Sequence, residues 1–197
     1  MTKFPKSTIH YGSIDWTVDQ YHNMVSAGIL AENAPVELLY GKVIPKSPVG
    51  RFHAACVSNI LEFFILNFGK AYTWRTQDPV AMLDHSEPEP DFVVAIRKED
   101  NYASGHPTGP EVELLIEVSD TTLEKDRNHK KPIYALAGVK EYWIVNLVDR
   151  QLEVYTDLEE GQYQSNETHL EGEQVNHAVF GMIEVSELLP GLITKDY

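Results

Sequence analysis

Two carboxylates stand out by their surroundings. Glu117 lies in LLIEVS, near the end of a segment that is otherwise almost wholly apolar. An ionised carboxylate seldom occupies a buried strand unless it is paired or holds a cation, because desolvating it is costly. Asp91 opens the segment DFVVAI directly after EPEP, whose prolines stiffen the entry. Each acid alone has a bland alternative: Glu117 facing solvent from a half-exposed strand, Asp91 sitting in an ordinary turn. Taken together, an acid at the start of one strand and an acid near the end of another meet if the two strands are neighbours. Two or three oxygen ligands with room left for water suit Mg²⁺, which binds phosphate oxygens. Such an ion polarises a phosphodiester and orients or deprotonates an attacking water. Glu113 shares the alternation of Glu117, but it lies roughly 13 Å away along the strand and is peripheral. Glu87 and Glu89 read as solvated loop acids.

The elements that must position these acids follow from periodicity. Thr17 is a plausible N-cap for a helix ending near Gly28. Val36–Tyr40 and Lys42–Pro45 read as two short strands around a turn at Gly41. Apolar residues from Phe52 to Phe68 recur at helical spacing and predict the longest helix. Strands are expected at Tyr72–Thr76, Val80–Leu83 and Asp91–Ile96, then a loop from Arg97 to Pro110. Val112–Ser119 is the strongest strand, with Val112, Leu114, Ile116 and Val118 on one face and Glu113, Leu115, Glu117 and Ser119 on the other. A helix over Leu123–Ala137 stops at Gly138, and Glu141–Asn146 and Gln151–Tyr155 form a strand pair. Beyond them lies β-structure or loop, with a helical turn near Val185–Leu189. This order predicts an α/β sheet flanked by helices, with extra C-terminal β-structure.

The length of 197 residues and 43 % apolar content fit one globular domain over 1–197, its core spanning about 17–155. The net charge is −14, and it is unevenly placed: residues 151–197 hold 1 basic and 10 acidic side chains, a net −9, most of it on an acidic extension over 156–197. A field this negative opposes loose association with nucleic acid, so any contact must come from local patches. Lys42, Lys46, Arg51, Arg75, Lys125, Arg127 and Lys131 are the available cations. No signal-peptide pattern or membrane span is readable, and a cytoplasmic location is expected. Cys56 reads as a small buried hydrophobe. His10, His22, His85, His106, His129, His169 and His177 are too scattered for a zinc site. Tyr134, Tyr142 and Trp143 read as packing residues rather than base-stacking ones.

The ordered set VELLYGKVI, Phe52-His53, Pro90-Asp91, LLIEVS, Asp126-x-x-x-Lys130-x-x-x-Tyr134, AGVKEYWIVN and LEVY resembles a restriction endonuclease family expanded in cyanobacteria. That family, formerly a domain of unknown function, is part of the PD-(D/E)XK nuclease superfamily. The match covers about residues 36–155. It implies a restriction-endonuclease-like fold, Asp91 and Glu117 as metal ligands for Mg²⁺ (or Mn²⁺), and Glu37 as a third acid beside the site. The superfamily's lysine follows the second acid by two positions, but that position is Ser119. The family pattern offers Lys130 from the next helix instead. Asp126, Lys130 and Tyr134 recur at four-residue steps and share a helix face, whereas Lys131 points about 100° away. A surface ion pair between Asp126 and Lys130 is the competing reading. His53 matches a family histidine that would orient water or phosphate near Glu37, with helix capping or packing equally open.

Three functions remain in play. The leading one is metal-assisted hydrolysis of DNA by a homodimeric endonuclease, dimerisation being the common state of soluble oligomers. A nuclease-fold module that binds or assembles without cutting is the second, favoured by the charge. A hydrolase using Asp91 and Glu117 as an acid–base pair on another substrate is the third.

Overall fold

The computed structural model describes residues 14–191. Helix α1, Val18–Ser26, begins with a capping box: the Thr17 hydroxyl accepts from the Gln20 N–H, and Gln20 Oε1 accepts from the Thr17 N–H. A hairpin follows, with β1 over Val36–Leu39 and β2 over Lys42–Pro45. Its turn puts both Tyr40 (φ 49°) and Gly41 (φ 72°) in the left-handed region, the geometry that a tight two-residue hairpin requires. Gly41 is doubly constrained, because a Cβ there would stand 2.6 Å from Asp15 Cβ.

Helix α2, Arg51–Phe68, precedes a six-stranded sheet. Its strands are β3 (Tyr72–Arg75), β4 (Phe92–Ile96), β5 (Val112–Ser119), β6 (Tyr142–Asn146), β7 (Gln151–Glu159) and β8 (Gln162–Leu170), in that spatial order. Only β5 and β6 run parallel. Parallel neighbours need a long crossover, and a helical segment supplies it. That segment is α3 (Leu123–Lys125), a π turn over Asp126–Lys130 and α4 (Lys131–Leu136). A small hairpin of β9 (Gln174–His177) and β10 (Gly181–Glu184) leads to α5, Val185–Leu188.

Two apolar layers sandwich the sheet. On one face Cys56, Ile60 and Phe64 of α2 pack on Phe92, Ile116, Val118 and Trp143, closed by Val175, Phe180 and Leu188. On the other, Leu39, Val80, Ile133 and Tyr134 pack on Val93, Leu115, Tyr142 and Ile144. Cys56 is buried and unpaired, as its apolar context predicts.

Three expectations need correction. Val80–Leu83 makes only isolated bridges and is not a strand. The β4–β5 register slips between Val94, opposite Leu114, and Ala95, opposite Val112, so Glu113 is bulged out. Val112 therefore joins Leu115 in the second layer, while Glu113 lines a groove with Val154 and Val175 of the first. The helix expected over Leu123–Ala137 is broken by the π turn just before Pro132, which has no N–H to give and needs its ring kept clear of the preceding turn.

Candidate active site

Phe92 pairs with Ile116, and β4 and β5 are antiparallel, so one step further along the register Asp91 faces Glu117. The strand order thus performs the juxtaposition that sequence spacing alone left conditional. Asp91 Oδ2 accepts the Val118 N–H at 2.8 Å and lies 3.1 Å from His53 Nε2 in the first turn of α2. Glu117 Oε1 accepts from Lys130 Nζ at 2.9 Å and from the Tyr134 hydroxyl at 2.6 Å. Among the described residues, Asp91 Oδ1 and Glu117 Oε2 have no hydrogen-bond partner. Both acids line a cleft of about 250 Å³ together with Glu37, His53, Asp120, Asp126 and Lys130.

The hairpin contributes Glu37, which pairs across β1–β2 with Ile44 and is fully buried. Its carboxylate takes Lys125 Nζ at 2.9 Å on Oε1 and Lys130 Nζ at 3.2 Å on Oε2. Lys130 thereby bridges Glu37 and Glu117. The shared helix face is real, but the bland reading of a surface Asp126–Lys130 pair is not what forms. Asp126 instead accepts from Ser119 Oγ and Thr122 Oγ1, each at 2.7 Å, which ties the helix start to the end of β5. Ser119 therefore serves the site as a tether, with no charge of its own.

The electrostatics follow from burial opposed by partners. Burial lifts Glu117 far above the usual carboxylate range, aided by Asp126 and Asp91, with Lys130 pulling it back. Burial also pushes Asp91 up, but His53, Lys130 and the Val118 N–H outweigh it and leave its pKa lowered. In Glu37 burial is likewise overcome, here by Lys130 and Lys125. Burial would strip Lys130 of its proton, yet Glu117, Glu37, Asp126 and Asp91 together hold its pKa above the ordinary lysine value. Lys130 is a fixed cation. For His53, burial is opposed by Asp91, which raises its pKa; Nδ1 is buried without a partner among the described residues.

A family model described as "Uma2: Putative restriction endonuclease" matches residues 18–188. The chain belongs to the Uma2 family. Among solved structures, one described as "a putative nuclease belonging to DUF820 from Anabaena variabilis" is similar at a TM-score of 0.68 and 18 % identity, covering 87 % of this chain and 96 % of that one. At that identity the likeness is one of fold. No curated protein matches. The fold expected from the resemblance is thus present, in a mixed sheet flanked by helices with added C-terminal strands.

Some features of this Uma2 chain escaped the sequence. Glu87 and Glu89 are not solvated: Glu87 is buried against His22 at 2.7 Å, and Glu89 pairs with Lys46 in the cleft wall while its N–H donates to Glu37. The cations available for phosphate are largely committed. Lys42 pairs with Asp15, Lys46 with Glu89, Arg75 with Asp78, Lys125 with Glu37 and Arg127 with Glu153. Arg51 lies over the Phe52 ring and Lys131 over the Tyr155 ring. Lys125 was expected only as a phosphate contact; its pairing with Glu37 depends on the hairpin docking on the helix. His10 lies outside the described residues. No helix among the described residues is long and apolar enough to cross a membrane.

Among the described residues, no three His, Cys, Asp or Glu side chains are grouped so as to hold an ion unaided. Two carboxylates with one unengaged oxygen each fit Mg²⁺, which is commonly held by one or two carboxylates and keeps several waters. A zinc-type closed site is a poorer fit, because among the described residues no three such side chains are grouped to complete it.

Proposed function

We propose that this protein is a metal-dependent endonuclease that hydrolyses DNA phosphodiester bonds, with Asp91 and Glu117 as the ligands of Mg²⁺ or Mn²⁺. The observation that carries the reading is the pair itself: two buried carboxylates facing each other across β4 and β5, each with one oxygen left open to the cleft, beside a buried lysine. When bound, the ion would supply charge neutralisation on the phosphate and a more acidic water. Asp91 is held in place by the Val118 N–H and His53, and Glu117 by Tyr134, so both present a fixed oxygen to the ion. Lys130, kept protonated by its acids, stabilises the negative charge that develops on the phosphoryl oxygens. Glu37 shares Lys130 with Glu117 and, with Lys125, sets where that charge stands.

Isothermal titration with Mn²⁺ tests the metal half. Binding by the parent and none by Asp91→Ala or Glu117→Ala is expected; a parent that binds no Mn²⁺ overturns the ligand assignment. Cleavage of supercoiled plasmid and of oligonucleotides tests the other half. Lys130→Met should cut at least about 10²-fold more slowly, and cutting at the parental rate would remove Lys130 from the mechanism. The second reading, a binding module that does not cut, is favoured by the net charge of −14 and by the ion-paired cations around the cleft. Mn²⁺ binding with no cleavage of any substrate is its signature.

A further inference from the structure

The cleft carries three cations in its walls, and carboxylates hold all three: Lys46 by Glu89, Lys125 by Glu37, and Lys130 by Glu37 and Glu117. Duplex binding depends on cations that neutralise phosphates along the backbone, and here that charge is spent inside the protein. Arg51 is different. It has no carboxylate partner among the described residues, and it stands between Gly50 and His53, both of which line the cleft. Its guanidinium lies 4.9 Å from the centre of the Phe52 ring. Phe52 is 40 % exposed, and Val49, itself part of the cleft wall, is 56 % exposed. A lone exposed apolar residue needs no explanation. An exposed aromatic ring with a guanidinium over it, carried on the first turn of α2 between the cleft-lining residues Gly50 and His53, forms a surface with a definite chemistry.

We propose that Phe52, with Arg51 over its ring, is a stacking platform for an unpaired nucleobase, and that the substrate is accordingly single-stranded nucleic acid. The inference rests on the nuclease reading of the cleft. In a closed duplex the bases stack on one another and offer the protein mainly backbone charge. A single strand offers the π-face of every base, and stacking on an aromatic side chain is strong and tolerant of sequence. The guanidinium adds attraction to the ring below it and to a phosphate alongside. A protein of net charge −14 with its cleft cations paired gains most from this mode, because stacking does not need a basic surface. Gly50 has no side chain to separate the platform from the cleft, and a Cβ there would still find open space, with Asp120 Oδ2 no closer than 3.9 Å.

Fluorescence anisotropy with a labelled single-stranded oligonucleotide and the matching duplex, in Ca²⁺ to hold turnover down, tests the platform. The parent should bind the single strand more tightly. Phe52→Ala should weaken single-strand binding roughly tenfold and leave duplex binding unchanged, while Phe52→Trp keeps the parental affinity. Phe52 is a partly exposed residue in the first turn of α2, so alanine is tolerated by the helix, and unchanged Mn²⁺ titration confirms an intact cleft. A parent that prefers the duplex, that binds neither, or whose single-strand affinity is indifferent to Phe52→Ala overturns the proposal. The two readings fail separately. Expected binding without cleavage sinks the nuclease and spares the platform; cleavage with Phe52→Ala behaving as parent does the reverse.

Discussion

At the scale of single residues, the site is a buried charge network in which almost every polar atom is engaged. Tyr134 is the clearest positioning residue, because its hydroxyl, 2.6 Å from Glu117 Oε1, fixes the carboxylate whose other oxygen is open. Removing such an outer partner commonly costs 10- to 100-fold in metal affinity. Tyr134→Phe should therefore fold and yet bind Mn²⁺ about tenfold more weakly in a calorimetric titration; parental affinity would reduce Tyr134 to packing. Glu117 could be picked out from the sequence because its apolar strand does not explain a carboxylate, Asp91 gained its meaning only as the partner acid, and the family pattern chose Lys130. The Lys125–Glu37 pair and the tethers from Ser119 and Thr122 to Asp126 could not be picked out, since they depend on how close one element sits to the next. A second, half-buried group behaves differently. Burial pushes Glu141 up to about 7, with the Trp143 indole N–H opposing and Glu113 adding to the rise. Its neighbour His177 is lowered by burial to about 4, and its Nδ1 accepts the Val179 and Phe180 N–H groups at 3.0 and 3.3 Å, so the ring proton sits on Nε2 toward Glu141. Glu141 has a folded pKa above its unfolded value of 4.5, so its contribution to stability is full below about pH 4.5 and is lost as pH rises through about 7. That shift corresponds to about 3 kcal/mol. Thermal melts at pH 5.5 and pH 8.5 should show the parent losing stability over this interval, and Glu141→Gln losing markedly less. An equal loss in both proteins would mean that Glu141 does not titrate there.

At the scale of elements, the site exists because β5 and the helical crossover are clamped at both ends. Near the site, Ser119 and Thr122 hold Asp126. At the far end, Gly109 in the 3₁₀ turn before β5 packs against the end of α4 so closely that a Cβ would lie 2.0 Å from the Ala137 carbonyl oxygen. Backbone presses on backbone there, and no side chain can yield. Gly109→Ala should drive α4 off β5 and destabilise by at least about 2 kcal/mol, read as a lower denaturant midpoint. Because Lys130 and Tyr134 ride on that crossover, Mn²⁺ affinity should fall with it. Parental stability would show that the two elements are not clamped at this point. Periodicity revealed nearly all of these elements, since α2 and β5 bury one face or both and say so in their apolar spacing. It failed where one residue breaks the period. The Glu113 bulge moved Val112 to the other layer, and Pro132 turned an even helix into α3, a π turn and α4. Val80–Leu83 has strand-like composition, but with only isolated bridges to Thr108 and Ser86 it lies over the sheet and not in it.

At the scale of the whole molecule, the charge total misleads unless its pairing is known. The sequence shows 16 basic side chains and a net −14, and from it the basic residues near the motifs look available for phosphate. Their availability is set by the fold, which brings Glu37, Glu89 and Glu153 to Lys125, Lys46 and Arg127. The consequence is a salt dependence unlike that of most DNA-binding proteins. Each phosphate neutralised on a single strand adds about −0.7 to the slope of log K against log salt, and proteins with 6–10 phosphate contacts lose affinity steeply as salt rises. With Arg51 free and the cleft lysines committed, one or two contacts are expected, and so a slope of about −1. Anisotropy titrations of a single-stranded oligonucleotide between 50 and 200 mM salt, with Ca²⁺ constant, measure it directly. The same series on Arg51→Ala should flatten the slope further, because the one cation beside the cleft that is uncommitted among the described residues is gone. A parental slope of about −3 or steeper would mean that the internal pairs open and hand their lysines to phosphate. The acids freed by such an opening would then face the cleft unpaired, and added Mg²⁺ should strengthen nucleic-acid binding far more than Arg51 does.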